Sequence, residues 1–130
     1  MFKRIDHVEI VPSNAERSIG FYTKTIGFKI VQSIEVNQPP LRRVVFLTLG
    51  DTMLELLDVV APAPRDESPW RVGFRSMALE VDDMEAVLAT LKRAGSEAVW
   101  GPMNLGDCIR AEIADPDGLR IELRQWLSRR

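Results

Sequence analysis

One histidine and two glutamates are the residues of this chain whose types and placement could support metal chemistry. They are His7 in IDHVEI, Glu55 in MLELL and Glu122 in RIELR. Side chains alternate faces along a strand, so both glutamates point away from their apolar neighbours. An imidazole and two carboxylates suit a divalent cation, which the two negative charges would neutralise. Such an ion would act as a Lewis acid that holds substrate oxygens and stabilises an enolate-like intermediate.

Two similar modules are predicted to position these residues. Each reads as strand, helix, strand, strand, strand, with the first strand at 5–11 or 75–81 and the helix at 14–24 or 83–94. The matching landmarks are His7 with Ser76, Gly27 with Gly95 and Glu55 with Glu122, at offsets of 69, 68 and 67. Ordered landmarks at a nearly constant offset favour duplication over a chance likeness of two such modules.

The boundaries of these modules are also indicated by the sequence. We predict a single domain over 1–130, with module one at 1–60, a proline-rich linker at 61–70 and module two at 71–130. Ser13 and Asp82 are each followed three residues later by a glutamate, which predicts a capping box at the start of each helix. If the modules pack around a pseudo-twofold axis, His7, Ser76 and the two glutamates would meet in one cleft.

Each of these three residues, considered alone, could also have an ordinary structural role instead of binding a metal. A glutamate between leucines in a strand is most often solvated, and a lone histidine is most often an ordinary surface or core residue. The equivalent placement of Glu55 and Glu122 in the two modules, with His7 on the first strand, favours the site.

Composition excludes several classes of function. The chain has 130 residues, is 45% apolar and carries a formal charge of −2, so it can build a core and offers no basic field for nucleic acid. Its single cysteine, Cys108, cannot form an internal disulfide, which is typical of a reducing compartment. We see neither a membrane span of about 18 apolar residues nor a signal peptide, and expect a cytoplasmic protein.

The sequence resembles the vicinal oxygen chelate superfamily, which includes glyoxalase I, methylmalonyl-CoA epimerase, extradiol dioxygenases and bleomycin-resistance proteins. The resemblance runs from 5-IDHVEIVPSNAERSIGFYTKTIGFKIV-31 through 49-LGDTMLELL-57 and 76-SMALEVDDMEAVLATLKRAG-95 to 115-DPDGLRIELRQ-125. It implies an α+β fold of two tandem βαβββ modules forming a cup-shaped mixed sheet, usually paired into homodimers.

The same resemblance implies a metal site and an activity. The four metal positions of the glyoxalase and epimerase branches fall on His7, Glu55, Ser76 and Glu122, and Glu55 is more similar to glyoxalase, since the epimerase branch has Gln there. Because serine is a poor ligand, His7, Glu55 and Glu122 would hold the metal (Zn, Ni, Co, Mn or Fe), with Glu122 or Glu55 as general base. The implied function is a lyase or isomerase of the glyoxalase I or epimerase type, for which thioesters and glutathione adducts are candidate substrates. The alternative is a metal-free binding or drug-sequestering protein of the bleomycin-resistance type.

Ser76 leaves a gap of about one imidazole, which a substrate oxygen or a water could fill. Substrate contacts are therefore assigned to Ser76, Arg43 and Arg75, because the arginines could pair with a carboxylate or phosphate. The three tryptophans could line an apolar pocket or pack in the core. Cys108 is interpreted as a small buried residue, since no second histidine could activate it.

Restoring a histidine at the fourth ligand position tests the prediction of a metal site. Ser76→His is expected to tighten the binding of zinc, nickel and cobalt about 10- to 100-fold, since even residues around the ligands have effects of that order. Calorimetric titration of both proteins measures the change. Equal or weaker binding of all three metals by the variant would contradict a latent four-ligand site.

Overall fold

The chain folds into two compact units in a computed structural model that describes residues 1–128. The first unit covers Met1–Arg65 and the second begins at Asp66, a boundary that falls within the predicted linker. The first unit contains β1 (Val8–Ile10), α1 (Ala15–Gly20), a π-helical segment (Phe21–Ile26), β2 (Lys29–Gln38), β3 (Leu41–Leu49) and β4 (Thr52–Val59). The second contains β5 (Met77–Glu80), α2 (Met84–Arg93), β6 (Trp100–Asn104), β7 (Cys108–Ala114) and β8 (Arg120–Trp126). The α+β class and the two βαβββ modules are confirmed.

Strand pairing in the two units follows one pattern. The sheet orders are β1-β4-β3-β2 and β5-β8-β7-β6, and in each unit the first strand pairs in parallel with the last. Glu9 lies opposite Glu55 in the first sheet, and Ala78 lies opposite Glu122 in the second. The pairing register therefore agrees with the sequence alignment of the modules.

The first strands and the helices differ from their predicted bounds. β1 and β5 are shorter than predicted, so His7 and Ser76 lie just before the strands rather than inside them. The helix caps are Asn14 and Asp83, one residue after the predicted Ser13 and Asp82. Their side chains accept hydrogen bonds from the backbone N–H of Arg17 and Ala86. The predicted capping boxes are therefore wrong, because in both places two adjacent residues offer a suitable oxygen.

Each unit has its own apolar core on one face of its sheet. In the first unit, Leu54 and Leu56 of β4 are buried together with Tyr22, whose ring meets Phe28 edge to face at 5.9 Å. In the second unit, Ile121 and Leu123 of β8 are buried. Since side chains alternate along a strand, Glu55 and Glu122 lie on the opposite faces from these cores.

The helices end as the sequence predicts. Gly27 and Gly95 follow the helical segments with φ values of 110° and 83°, in the left-handed region that glycine adopts without strain. None of the helices within residues 1–128 has the length and apolar character needed to cross a membrane.

Candidate functional site

His7 lies beside two carboxylates in the first unit. Its Nε2 is 3.0 Å from Oε2 of Glu9 and 3.1 Å from Oε2 of Glu55, while its Nδ1 is 2.8 Å from Oδ2 of Asp6. The register of β1 against β4 produces this cluster, because it places Glu9 directly opposite Glu55 on the face away from the core. The structure therefore brings together two of the three predicted metal ligands, His7 and Glu55.

The electrostatics of this cluster favour a cation. Hydrogen bonding to Asp6, and then to Glu9, raises the pKa of His7 from 6.5 to about 9. The imidazole is therefore protonated at neutral pH, donates to the surrounding carboxylates, and would have to lose the proton on Nε2 to coordinate a metal. Glu55 is only 9% exposed, so its charge is poorly solvated and benefits most from a positive partner.

The donor set of the first unit fits a divalent ion. His7, Glu9 and Glu55 each offer one ligand atom, and the three atoms lie within 4.8 Å of one another. One imidazole nitrogen and carboxylate oxygens are ligands that zinc and related metals accept. Glu9 was not among the residues predicted from the sequence. Its signal is its place two residues after His7, on the same face of the strand.

Glu122 lies in different surroundings in the second unit. Its Oε1 accepts a hydrogen bond from Nη2 of Arg110 at 2.6 Å, and its Oε2 accepts one from Nε of Arg124 at 2.8 Å. Both carboxylate oxygens are thus paired with guanidinium groups. To bind a metal or accept a proton, as predicted, Glu122 would have to give up one of these pairs.

A second buried glutamate lies beside Glu122. Glu112 of β7 is opposite Glu122 in the register and is only 5% exposed. Three guanidinium groups surround it, at 3.3 Å from Arg120, 3.5 Å from Arg75 and 3.6 Å from Arg110. Sequence reasoning missed this residue, because only the β7–β8 pairing brings it to the same face as Glu122.

These charged residues line a cavity of about 610 Å³. Its walls are Pro69, Trp70, Arg75, Ser76, Trp100, Arg110, Glu112, Arg120 and Glu122, all from the second unit. The guanidinium of Arg75 lies 4.7 Å from the ring centre of Trp70, and that of Arg110 lies 5.2 Å from that of Trp100. Two of the predicted substrate residues, Ser76 and Arg75, line this cavity.

The third predicted substrate residue, Arg43, lies elsewhere. It pairs with Asp58 of β4 and Glu16 of α1, at 3.2 and 2.6 Å, on the face of the first sheet opposite to Glu55. We therefore leave Arg43 out of the proposed site. Cys108 is buried, and burial raises the pKa of its thiol, which favours the unreactive protonated form.

Comparison with known proteins places this fold and these residues in a family. Residues 4–123 match the model of the Glyoxalase/Bleomycin resistance protein/Dioxygenase superfamily. The lactoylglutathione lyase of Neisseria meningitidis is 30% identical over 130 residues, which covers 94% of this chain and 90% of that protein.

Solved structures give the same result. A glyoxalase family protein from Enterococcus faecalis superposes with a TM-score of 0.80 at 28% identity, covering 95% of this chain and 98% of that one. An antibiotic binding protein from Streptomyces shares the fold, with a TM-score of 0.75 at 24% identity and coverage of 96% and 97%. The chain therefore belongs to the glyoxalase/bleomycin resistance protein/dioxygenase superfamily.

Proposed function

We propose that this protein is a metal-dependent lyase or isomerase of the glyoxalase type, acting on a small oxygenated substrate such as a thioester or a glutathione adduct. The observation that carries the proposal is the His7 cluster, in which one imidazole nitrogen lies within 3.1 Å of two carboxylates. Three such donors would leave the remaining coordination positions of a divalent ion to substrate oxygens or water.

The residues of the cluster have separate roles in this proposal. His7, Glu9 and Glu55 would hold the ion, which would supply the Lewis acidity that makes a proton beside a carbonyl easier to remove. Glu55 is the general base that we favour, because no guanidinium within residues 1–128 contacts it. Its carboxylate would have to be free of the ion to accept that proton. Glu122 is the second candidate, and it would have to release Arg110 or Arg124 first.

Metal dependence and activity can be tested on one preparation. Purified protein is analysed for bound metal, stripped with a chelator, reloaded with zinc, nickel or cobalt, and assayed for formation or breakdown of the lactoylglutathione thioester. Thioester chemistry that appears only after reloading supports the proposal. A protein that takes up none of these metals would contradict it.

A metal-free binding protein is the second candidate, and the second unit carries the observation that favours it. Ser76 cannot replace a histidine ligand, and both oxygens of Glu122 are held by arginines. The cavity of this unit is therefore equipped to bind a ligand without an ion. Ligand binding that is unaffected by the chelator, in a protein without thioester activity, would support this candidate.

We also propose a cytoplasmic homodimer. Both sheets have edge strands, β1 and β2 in one and β5 and β6 in the other, and apolar residues such as Val8, Ile30 and Val31 are exposed on them. Unpaired edges with apolar side chains need covering, and a second copy is the simplest cover. Sedimentation at micromolar concentration is expected to give twice the chain mass of 14.7 kDa. A monomer would reject the dimer.

A further inference from the structure

We propose that the cavity of the second unit binds the carboxylate of a planar, anionic small molecule, with Arg75 and Arg120 as its main partners. The inference rests on the proposed function only in taking this molecule to be the substrate. The binding itself requires no metal and no residue of the first unit.

Guanidinium donors exceed protein acceptors in this cavity. Arg75, Arg110 and Arg120 line it together with Glu112 and Glu122, so three guanidinium groups face two carboxylates in the cavity wall. Each guanidinium has five N–H donors, whereas each carboxylate offers about four acceptor positions. The Nε of Arg110 is buried and has no hydrogen-bond partner among residues 1–128. The site therefore has donors and positive charge to spare for an anion.

The first unit shows whether this sheet needs charged residues at these positions in order to fold. The register places four apolar residues at the positions equivalent to the charged ones: Val44, Phe46, Met53 and Leu57 for Arg110, Glu112, Arg120 and Arg124. The same sheet thus forms without charges at these positions. Burying a carboxylate such as Glu112 costs free energy that an apolar side chain would avoid, so we take these charged residues to serve a ligand rather than the fold.

The contact distances show which arginines a ligand can engage. Glu122 is held at 2.6 and 2.8 Å, which is typical of strong charge-assisted hydrogen bonds. Glu112 is held at 3.3 Å by Arg120 and at 3.5 Å by Arg75, distances that indicate weak pairs. A substrate carboxylate can therefore take donors from Arg75 and Arg120 without breaking the Glu122 pairs.

The aromatic residues of the cavity favour a flat ligand. Arg75 stacks on Trp70, and Arg110 on Trp100, at 4.7 and 5.2 Å. A stacked guanidinium keeps its N–H edge free for a planar, two-oxygen acceptor, which a carboxylate matches. The indole rings beside it offer apolar surface to the unsaturated part of the same molecule. A cavity of about 610 Å³ has the usual size for a small-molecule site.

The test compares a charged ligand with its neutral counterpart, using the 130-residue chain with excess chelator. Calorimetry measures binding of 2-naphthoate, its neutral counterpart 2-naphthamide, and inorganic phosphate. We expect naphthoate to bind at least about tenfold more tightly than naphthamide, since hydrogen bonds to a charged group are worth more than neutral ones. Equal binding of naphthoate and naphthamide, or no binding of naphthoate, would overturn the proposal. Phosphate binding as tight as naphthoate binding would overturn the choice of a carboxylate.

Variants then identify which arginines bind the carboxylate of the ligand. Arg75→Gln and Arg120→Gln should each weaken naphthoate binding by about tenfold and leave naphthamide binding nearly unchanged. Arg42→Gln is the matched control, because Arg42 pairs with Asp58 in the first unit. If Arg42→Gln weakens binding as much as the other two, the assignment is wrong. Because metal is absent throughout, failure here leaves the His7 cluster untouched, and failure to bind metal leaves this result intact.

Discussion

His7→Ala and Glu55→Gln should each abolish the stabilisation that zinc, nickel or cobalt gives to this protein. An ion that binds only the native state raises the free energy of unfolding by RT ln(1 + [L]/Kd), or about 2.7 kcal/mol at one hundred times Kd. With three protein donors, the loss of one leaves too few to hold the ion. Thermal unfolding with and without each metal measures the effect. Unchanged shifts in both variants would remove the proposed metal site.

Two further variants decide which carboxylate completes the ligand set. Glu9 lies 3.0 Å from Nε2 of His7, whereas Glu122 accepts hydrogen bonds from Arg110 and Arg124. We expect Glu9→Gln to abolish the metal-dependent shift, as the other two ligand variants do, and Glu122→Gln to preserve it. The opposite result would restore the ligand set predicted from the sequence. Glu16→Gln is the control, since this exposed carboxylate pairs with Arg43 on the other face of the sheet.

The repeat could be predicted from the sequence because the two modules keep their landmarks in order. Turn glycines, strand periodicity and the two glutamates all recur, and the pairings of Glu9 with Glu55 and Ala78 with Glu122 follow the same alignment. The first residue of each helix was harder to predict, since adjacent residues such as Ser13 and Asn14 both offer capping oxygens. Only the backbone conformation distinguishes them.

The environment of each glutamate was harder to predict than its position. Arg120, Glu122 and Arg124 alternate along one strand, so the sequence contained a sign that Glu122 has basic neighbours. Arg110 and Glu112 reach the same place only through the register of β7 against β8, which local sequence does not determine. Long-range pairing therefore decides which glutamate is available to a metal and which is neutralised by arginine.

Glu112→Leu should lower the free energy of unfolding of the second unit by about 1–3 kcal/mol, because it removes the shared partner of three partly exposed arginines. The side chain of Glu112 is 6% exposed and lies within 3.6 Å of three guanidinium groups. Without it, these like charges face one another with one carboxylate fewer to offset them. Urea unfolding followed by tryptophan fluorescence reports on this unit alone, because all three tryptophans belong to it.

Repulsion can be separated from lost packing by a second substitution. Adding Arg120→Met, the residue that the first unit has at the equivalent position, should recover part of the loss, because it removes one of the unbalanced charges. A loss below about 1 kcal/mol for Glu112→Leu, or no coupling between the two changes, would contradict the electrostatic account. A carboxylate ligand should stabilise Glu112→Leu more than the wild type, since in the variant it is the only acid left to neutralise Arg75 and Arg120. The buried glutamate would then be the group that balances these arginines when no substrate is bound.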